Sequence, residues 1–278
     1  MNTPFHITAR TLAAYTAHLT AEERSPATID KYTRDITAFA DYLANIAVTK
    51  EAVIVYKAHI IKTYAPASVN SMLAALNGFF KFHKLGIKIK PLKIQRRVFL
   101  SEDKELTRAE YKQLLVAAKS NPRLYLVIQT ICATGIRVSE LKFFTVEAVR
   151  TGTIEVTNKG KTRTVFLPAK LQTALLRYAK ERGITIGSIF ITAKGNPLDR
   201  RNIWADMKKL CKSANVAPSK VYPHNLRSLF ARCFYAIEKD IIRLADLLGH
   251  SNVNTTRLYT MDSGVQHRRI IEKMGLVT

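Results

Sequence analysis

Between Gly86 and Glu105 the chain loses the helical spacing of apolar residues that runs on either side of it, and this break does most to limit the possible folds. The break is a basic stretch, Lys88-Ile89-Lys90-Pro91-Leu92-Lys93 followed by Arg96-Arg97, with the character of a solvated connector between two folded parts. Each flank is long enough to bury its own core. The expected organisation is a helical domain over residues 1–90, a basic linker over 91–105 that can also track a phosphate backbone, and a second domain over 106–278.

The first part reads as helices. Ser25-Pro26 supplies an N-cap and a first-turn proline, after which Ile29, Tyr32, Ile36, Phe39 and Leu43 recur at helical spacing. A second helix is predicted over Lys50 to Thr63. Pro66 and Ser68 open a third, whose Val69, Met72, Leu76, Phe79, Phe80 and Phe82 form a broad apolar face. These aromatics are read as core rather than as a base-stacking platform.

The second part opens at Thr107, which with Glu110 makes a capping-box pattern. An apolar helix follows through Leu124 to Cys132. Thr153-Ile154-Glu155-Val156-Thr157 and Thr164-Val165-Phe166-Leu167 then alternate as strands, joined by the polar turn Asn158-Lys159-Gly160-Lys161. Everything afterwards reads as helical. The fold expected is mainly α with a small antiparallel sheet confined to the second domain.

Charge narrows the partner. Lys and Arg number 44 against 21 Asp and Glu, a formal net charge of +23, which calls for a polyanion. Up to Arg96 there are 13 basic and 6 acidic residues and beyond it 31 and 15, so both parts are basic and grip from two sides is expected. A membrane surface would need an anchor, and the longest apolar run, Leu124 to Ala133, is far shorter than the roughly 20 residues of a spanning helix. The opening Met1-Asn2-Thr3-Pro4-Phe5-His6 lacks the pattern of a secretory signal. Cys132, Cys211 and Cys233 are widely spaced with no CxxC pair, so neither a zinc site nor a disulfide framework is expected, and a reducing cytoplasm is the expected home.

Four separated pieces carry chemistry: Ala133-Thr134-Gly135-Ile136-Arg137-Val138-Ser139-Glu140-Leu141; Lys159 in the hairpin; His224-Asn225-Leu226-Arg227; and Leu247-Leu248-Gly249-His250 followed by Tyr259, nine positions on. Singly, each is ordinary: a surface arginine, a solvated lysine, a glycine ending a helix, one tyrosine of 11. Together, in content, order and spacing, they resemble the tyrosine recombinase family, also called the phage integrase family. The resemblance runs from Thr107 onward, and the Ser25 to Leu43 helix resembles the family's core-binding domain. It implies that Arg137 is the first catalytic arginine, Lys159 the hairpin lysine, His224 and Arg227 the next pair, His250 the second histidine and Tyr259 the nucleophile.

These residue types suit those roles. Attack on a phosphodiester builds negative charge on its nonbridging oxygens, which two guanidinium forks bind well, so Arg137 and Arg227 fit. The 5′ oxygen must leave as an alcohol, and a lysine on a hairpin can donate the proton. His224 and His250 can both bond the phosphate, and His224 can also help take the tyrosine proton. Glu140 either orients an arginine or caps and pairs on the surface. A 3′-phosphotyrosine ester keeps the bond energy, so rejoining needs no ATP. No cofactor or metal is expected, because the acidic residues form no cluster near the basic motifs.

Two positions depart from the family pattern: Ser228 where histidine is frequent, and Glu238 where glycine is common. They bear on a hydrogen bond at 228 and on the turn before Asp240. The expected function is site-specific DNA cleavage and rejoining for integration, excision or resolution, on double-stranded DNA, with a homo-tetramer in the synaptic complex. A type IB topoisomerase shares the chemistry, and an inactive DNA-binding or architectural protein shares the fold. The short tail after Tyr259 and the intact residue set favour the recombinase, and a start close to the core-binding domain favours a simple Xer-like or mobile-element enzyme. The tail segment Gln266 to Leu276 puts Ile270, Ile271 and Met274 on one side of a short helix, expected to dock either on its own protomer or on a neighbour.

Overall fold

Ser25 and Pro26 do start a helix. The Ser25 hydroxyl accepts from the Thr28 amide at 3.3 Å, and α2 runs Pro26–Leu43. A computed structural model describes residues 4–94, 104–158, 160–192, 194–257, 259 and 272–275, and the chain divides into two units, Met1–Arg96 and Arg97–Thr278.

In the first unit α2 is preceded by α1, Ala9–Ala21, and followed by α3, Lys50–Thr63, and α4, Pro66–Phe82. Sequence patterning missed α1 because it buries only Tyr15 and Leu19, too few to set a period, and a Thr8/Thr11 capping box starts it instead. Phe39, Phe79 and Phe80 are fully buried, so the aromatic face of α4 is core.

The basic stretch begins as part of this unit. Asn77 on α4 exchanges two hydrogen bonds with the backbone of Ile89, both at 2.9 Å. Asn70, two turns earlier on the same face, does the same with Leu92 at 2.7 and 3.0 Å. Ile89 is buried, and the Lys57 ammonium donates to the Lys90 carbonyl at 2.7 Å. Backbone that looked like free connector is therefore clamped to a helix, by amide side chains whose periodicity an apolar pattern does not register.

The second unit starts at α5, Arg108–Ala117, with the Thr107/Glu110 capping box formed in both directions. Then come α6, Pro122–Thr134, a 3₁₀ turn over Val138–Phe143, and α7, Val146–Thr151. Strands β1, Thr153–Asn158, and β2, Lys161–Phe166, pair antiparallel from Thr153↔Phe166 to Asn158↔Lys161. After α8, Ala169–Glu181, the chain is not helical as expected: it makes isolated bridges, Thr145↔Ser188 and Ile191↔Pro197, before α9, Arg200–Ala214. The glycines and Pro197 of this stretch favour turns over a helix. The unit continues through α10, Pro223–Glu238, α11, Ile241–Leu248, and α12, Val253–Arg257. The fold is mainly α with one small antiparallel sheet among the described residues. No helix among them is long and apolar enough to cross a membrane.

Both departures find local answers. The Ser228 hydroxyl donates to the His224 carbonyl within α10 at 3.0 Å. Glu238 stays helical and pairs with Arg243, while Lys239 takes the left-handed conformation at φ 56° and Asp240 caps α11. The turn expected of a glycine has moved one residue along.

Candidate active site

Pro223 sets the first turn of α10, which brings His224 and Arg227 to one face three residues apart. Arg227 is only 1% exposed, and its guanidinium donates to the Gly135 carbonyl at 2.6 Å and the Leu248 carbonyl at 2.7 Å. Burial, and next the nearby Arg137, push its pKa down to about 10, which still leaves it a cation at neutral pH. One of its nitrogens also lies 2.9 Å from His250 Nε2. A guanidinium can only donate, so His250 Nε2 accepts and the ring proton sits on Nδ1, directed at the Thr256 hydroxyl 2.8 Å away.

Gly135 ends α6, and Arg137 then begins the 3₁₀ turn. Glu140 in that turn is 1% exposed, and both its oxygens are in use. They accept from the Arg137 amide at 2.7 Å, the Arg137 guanidinium at 3.1 Å, and a two-pronged contact from Arg163 at 3.0 and 2.8 Å. Burial opposes the Glu140 charge, but these bonds, Arg163's first, outweigh it and hold the carboxyl below the usual range.

The C-terminal end of α11 joins these groups. Its last carbonyls have no intrahelical partner. Leu247 accepts from Arg163 Nε at 3.0 Å, Leu248 from Arg227, and Gly249 from Arg137 at 3.4 Å. Three cations thus surround the partially negative end of one short helix, which offsets part of their mutual repulsion.

Tyr259 packs its ring with Ala231, Leu244 and Leu248 and is 8% exposed. Its hydroxyl lies 3.3 Å from His224 Nε2, and its ring stacks on His250 with centroids 5.9 Å apart. Burial first, then Arg227 and Arg137, lowers both histidines: His250 to about 4, and His224 below its ordinary value with Arg200 adding to the effect. Both rings are therefore neutral at pH 7. Arg137, His224, Arg227, His250 and Tyr259 line a cleft of about 510 Å³, with Arg200 and the half-exposed Trp204 of α9 on its wall.

A phage integrase family model matches residues 104–264, and that family's N-terminal SAM-like domain matches residues 12–85. The tyrosine recombinase XerA of Thermococcus kodakarensis is 30% identical over 275 residues, covering 95% of this chain and 94% of that protein. The chain is a tyrosine recombinase of the phage integrase family. Solved structures of lambda integrase share its fold. A lambda integrase dimer bound to a COC′ core site aligns with TM-score 0.73 at 19% identity, over 91% of this chain and 94% of that one. A lambda integrase tetramer bound to a Holliday junction aligns with TM-score 0.73 at 20% identity, over 90% and 76%.

Within this recombinase, five of the six residues singled out from sequence converge on one cleft. The sixth, Lys159, lies outside the described residues, as does the tail segment except for 272–275. The hairpin residues that flank Lys159 in sequence, Asn158 and Lys161, border a second cleft of about 740 Å³ that shares Arg137 and His250 with the first. Sequence reasoning left out Arg163, Thr256, Arg200 and Trp204. Arg163 carried a signal, since it shares the inward face of β2 with Val165, where an unpaired cation would be costly.

Proposed function

We propose that this recombinase cleaves and rejoins duplex DNA at a specific site, with Tyr259 forming a covalent 3′-phosphotyrosine and neither metal nor ATP taking part. The observation that supports this best is the Tyr259 hydroxyl 3.3 Å from a neutral His224, in a cleft lined by Arg137 and Arg227. His224 Nε2 receives the phenolic proton as the oxygen attacks phosphorus. Arg137 and Arg227 bind the nonbridging oxygens where charge develops, and once Arg227 turns to the phosphate His250 can take the tautomer with its proton on Nε2 and donate from there. Lys159 protonates the departing 5′ oxygen, and religation runs the same steps backward.

The first unit, including the start of the basic stretch that Asn70 holds at Leu92, acts as a core-binding domain, and the rest of 91–105 links it to 106–278, which perform the chemistry. The family matches over 12–85 and 104–264 support that division. Four copies form the synapse, a reading supported by the shared fold with a lambda integrase tetramer on a Holliday junction. The compartment is the cytoplasm, where such a DNA substrate is found.

The test is a nicked suicide substrate cut from the native flanking DNA. The wild-type protein is expected to accumulate a covalent adduct at Tyr259, and Tyr259→Phe to bind the same DNA with no adduct. Adduct formation by Tyr259→Phe would overturn the assignment.

A further inference from the structure

We infer that Arg163 is a positioning residue that holds the β1–β2 hairpin against the arginine cleft and thereby governs protonation of the leaving group. The inference rests on the reading of Lys159 as the proton donor. A two-stranded sheet is marginal alone, and β2 turns Lys161, Thr162, Thr164 and Phe166 to solvent. Ile154, Val156 and Val165 seat the strands in the core, and nearer the turn polar contacts must fix where it points. Two side chains of β2 reach the other half of the site. Lys161 donates to the Ser251 hydroxyl at 3.0 Å, but from an exposed position. Arg163 has an 11% exposed side chain and spends its donors on three acceptors at once, the two Glu140 oxygens and the Leu247 carbonyl.

These contacts span three elements. Glu140 belongs to the 3₁₀ turn that Arg137 begins, Leu247 to the end of α11 that leads into His250, and Arg163 to the strand that follows the hairpin turn. Arg163 therefore ties the turn-side part of the hairpin, whose strands are seated in the core by Ile154, Val156 and Val165, to both other elements of the cleft. Arg137 does not depend on it in the same way, because its amide and guanidinium reach Glu140 directly. Loss of Arg163 should leave the oxyanion-binding arginines in place and misplace the acid. Lysine is no substitute, since a point charge cannot fork onto two oxygens while also holding a carbonyl.

In the step affected, the Tyr259 oxygen bonds phosphorus, the bond from phosphorus to the 5′ oxygen breaks, and that oxygen takes a proton from Lys159. With sulfur in place of the bridging 5′ oxygen, a thiolate leaves without needing the proton.

Single-turnover cleavage of ordinary and sulfur-bridged duplexes by wild type, Arg163→Ala, Arg163→Lys and Lys159→Ala tests this, with half-site binding measured alongside. On ordinary DNA both Arg163 variants should cleave on the order of 10- to 100-fold more slowly, with binding little changed. On sulfur-bridged DNA both should recover to near the wild-type rate, as should Lys159→Ala. If Lys159→Ala recovers while the Arg163 deficit persists, or if Arg163→Lys cleaves ordinary DNA at the wild-type rate, the inference is wrong. If Lys159→Ala itself fails to recover, the reading of Lys159 falls and takes the inference with it. Arg163→Lys keeps the charge and most of the stem, so it carries the test should Arg163→Ala unfold; loss of the folded state in both would make Arg163 a structural residue and overturn the inference.

Discussion

A guanidinium buried as deeply as that of Arg227 is tolerated because its donors meet the Gly135 and Leu248 carbonyls and His250 Nε2. Arg137 is about one-third exposed and makes fewer demands on the fold. The two arginines should therefore differ when removed. Arg137→Ala and Arg227→Ala should each slow single-turnover cleavage by about 100- to 1000-fold. Only Arg227→Ala should also lower the unfolding midpoint clearly, since each buried carbonyl it orphans costs about 1–3 kcal/mol. Equal midpoints for the two variants would contradict this division. The histidines predict a pH effect. The folded-state pKa of His250, about 4, lies below its ordinary value of 6.5, so on acidification the unfolded chain binds the proton first. The stability from a neutral His250 is complete above pH 6.5 and is lost as pH falls toward 4, and His224 acts in the same direction. Thermal unfolding from pH 7 to pH 4.5 should show a shallower loss for His250→Gln than for wild type. Identical slopes would contradict the placement of this ring beside Arg227.

At the scale of elements, the end of α11 organises the site, and Gly249 makes that end possible. It caps the helix in the left-handed region at φ 64°, and a Cβ there would come 2.9 Å from the Arg163 side chain. Gly183 has a similar φ of 67° with open space around it. Alanine at either position incurs backbone strain of about 1 kcal/mol. Gly249→Ala must in addition displace Arg163, so it should destabilise more than Gly183→Ala and should alone slow cleavage. Thermal unfolding and single-turnover rates of the two variants check this, and a Gly249→Ala enzyme of normal rate would show that Arg163 can shift without consequence. Several element boundaries were legible from local chemistry, namely Ser25-Pro26 at α2, Thr107 with Glu110 at α5, and the apolar alternation of β1, whereas α1, equally capped by Thr8 and Thr11, lacked the apolar period to draw notice. The non-helical stretch between α8 and α9 was only partly so: its glycines and Pro197 gave a local turn signal, but the Thr145↔Ser188 bridge joins residues distant in sequence.

For the whole molecule, excess positive charge in both units predicts a DNA affinity dominated by phosphate contacts. Plotted as logarithms, half-site affinity should fall with salt at a slope of about 0.9 per phosphate neutralised, and the slope should exceed that of the second unit's contacts alone. Cleavage should proceed at an undiminished rate in EDTA, since guanidinium groups supply the charge stabilisation. A flat salt response, or an absolute need for a divalent metal in the cleavage step, would contradict the proposed chemistry.

Sequence alone determined which residue types were present and in what order. Helices such as α2, α4 and α5 follow from local caps and apolar periods, and the motif set from Arg137 to Tyr259 is legible because its spacing along the chain is distinctive. Only the tertiary structure decided that Glu140 serves two arginines and that three guanidiniums meet the three successive carbonyls of Leu247, Leu248 and the capping Gly249 at the end of α11. It likewise decided that Asn70 and Asn77 clamp the start of the basic stretch to α4. The physical reason is range. Caps and periods act between neighbours a few positions apart, whereas a buried charge must find its partners wherever the fold brings donors and acceptors together, and no local pattern encodes that distance.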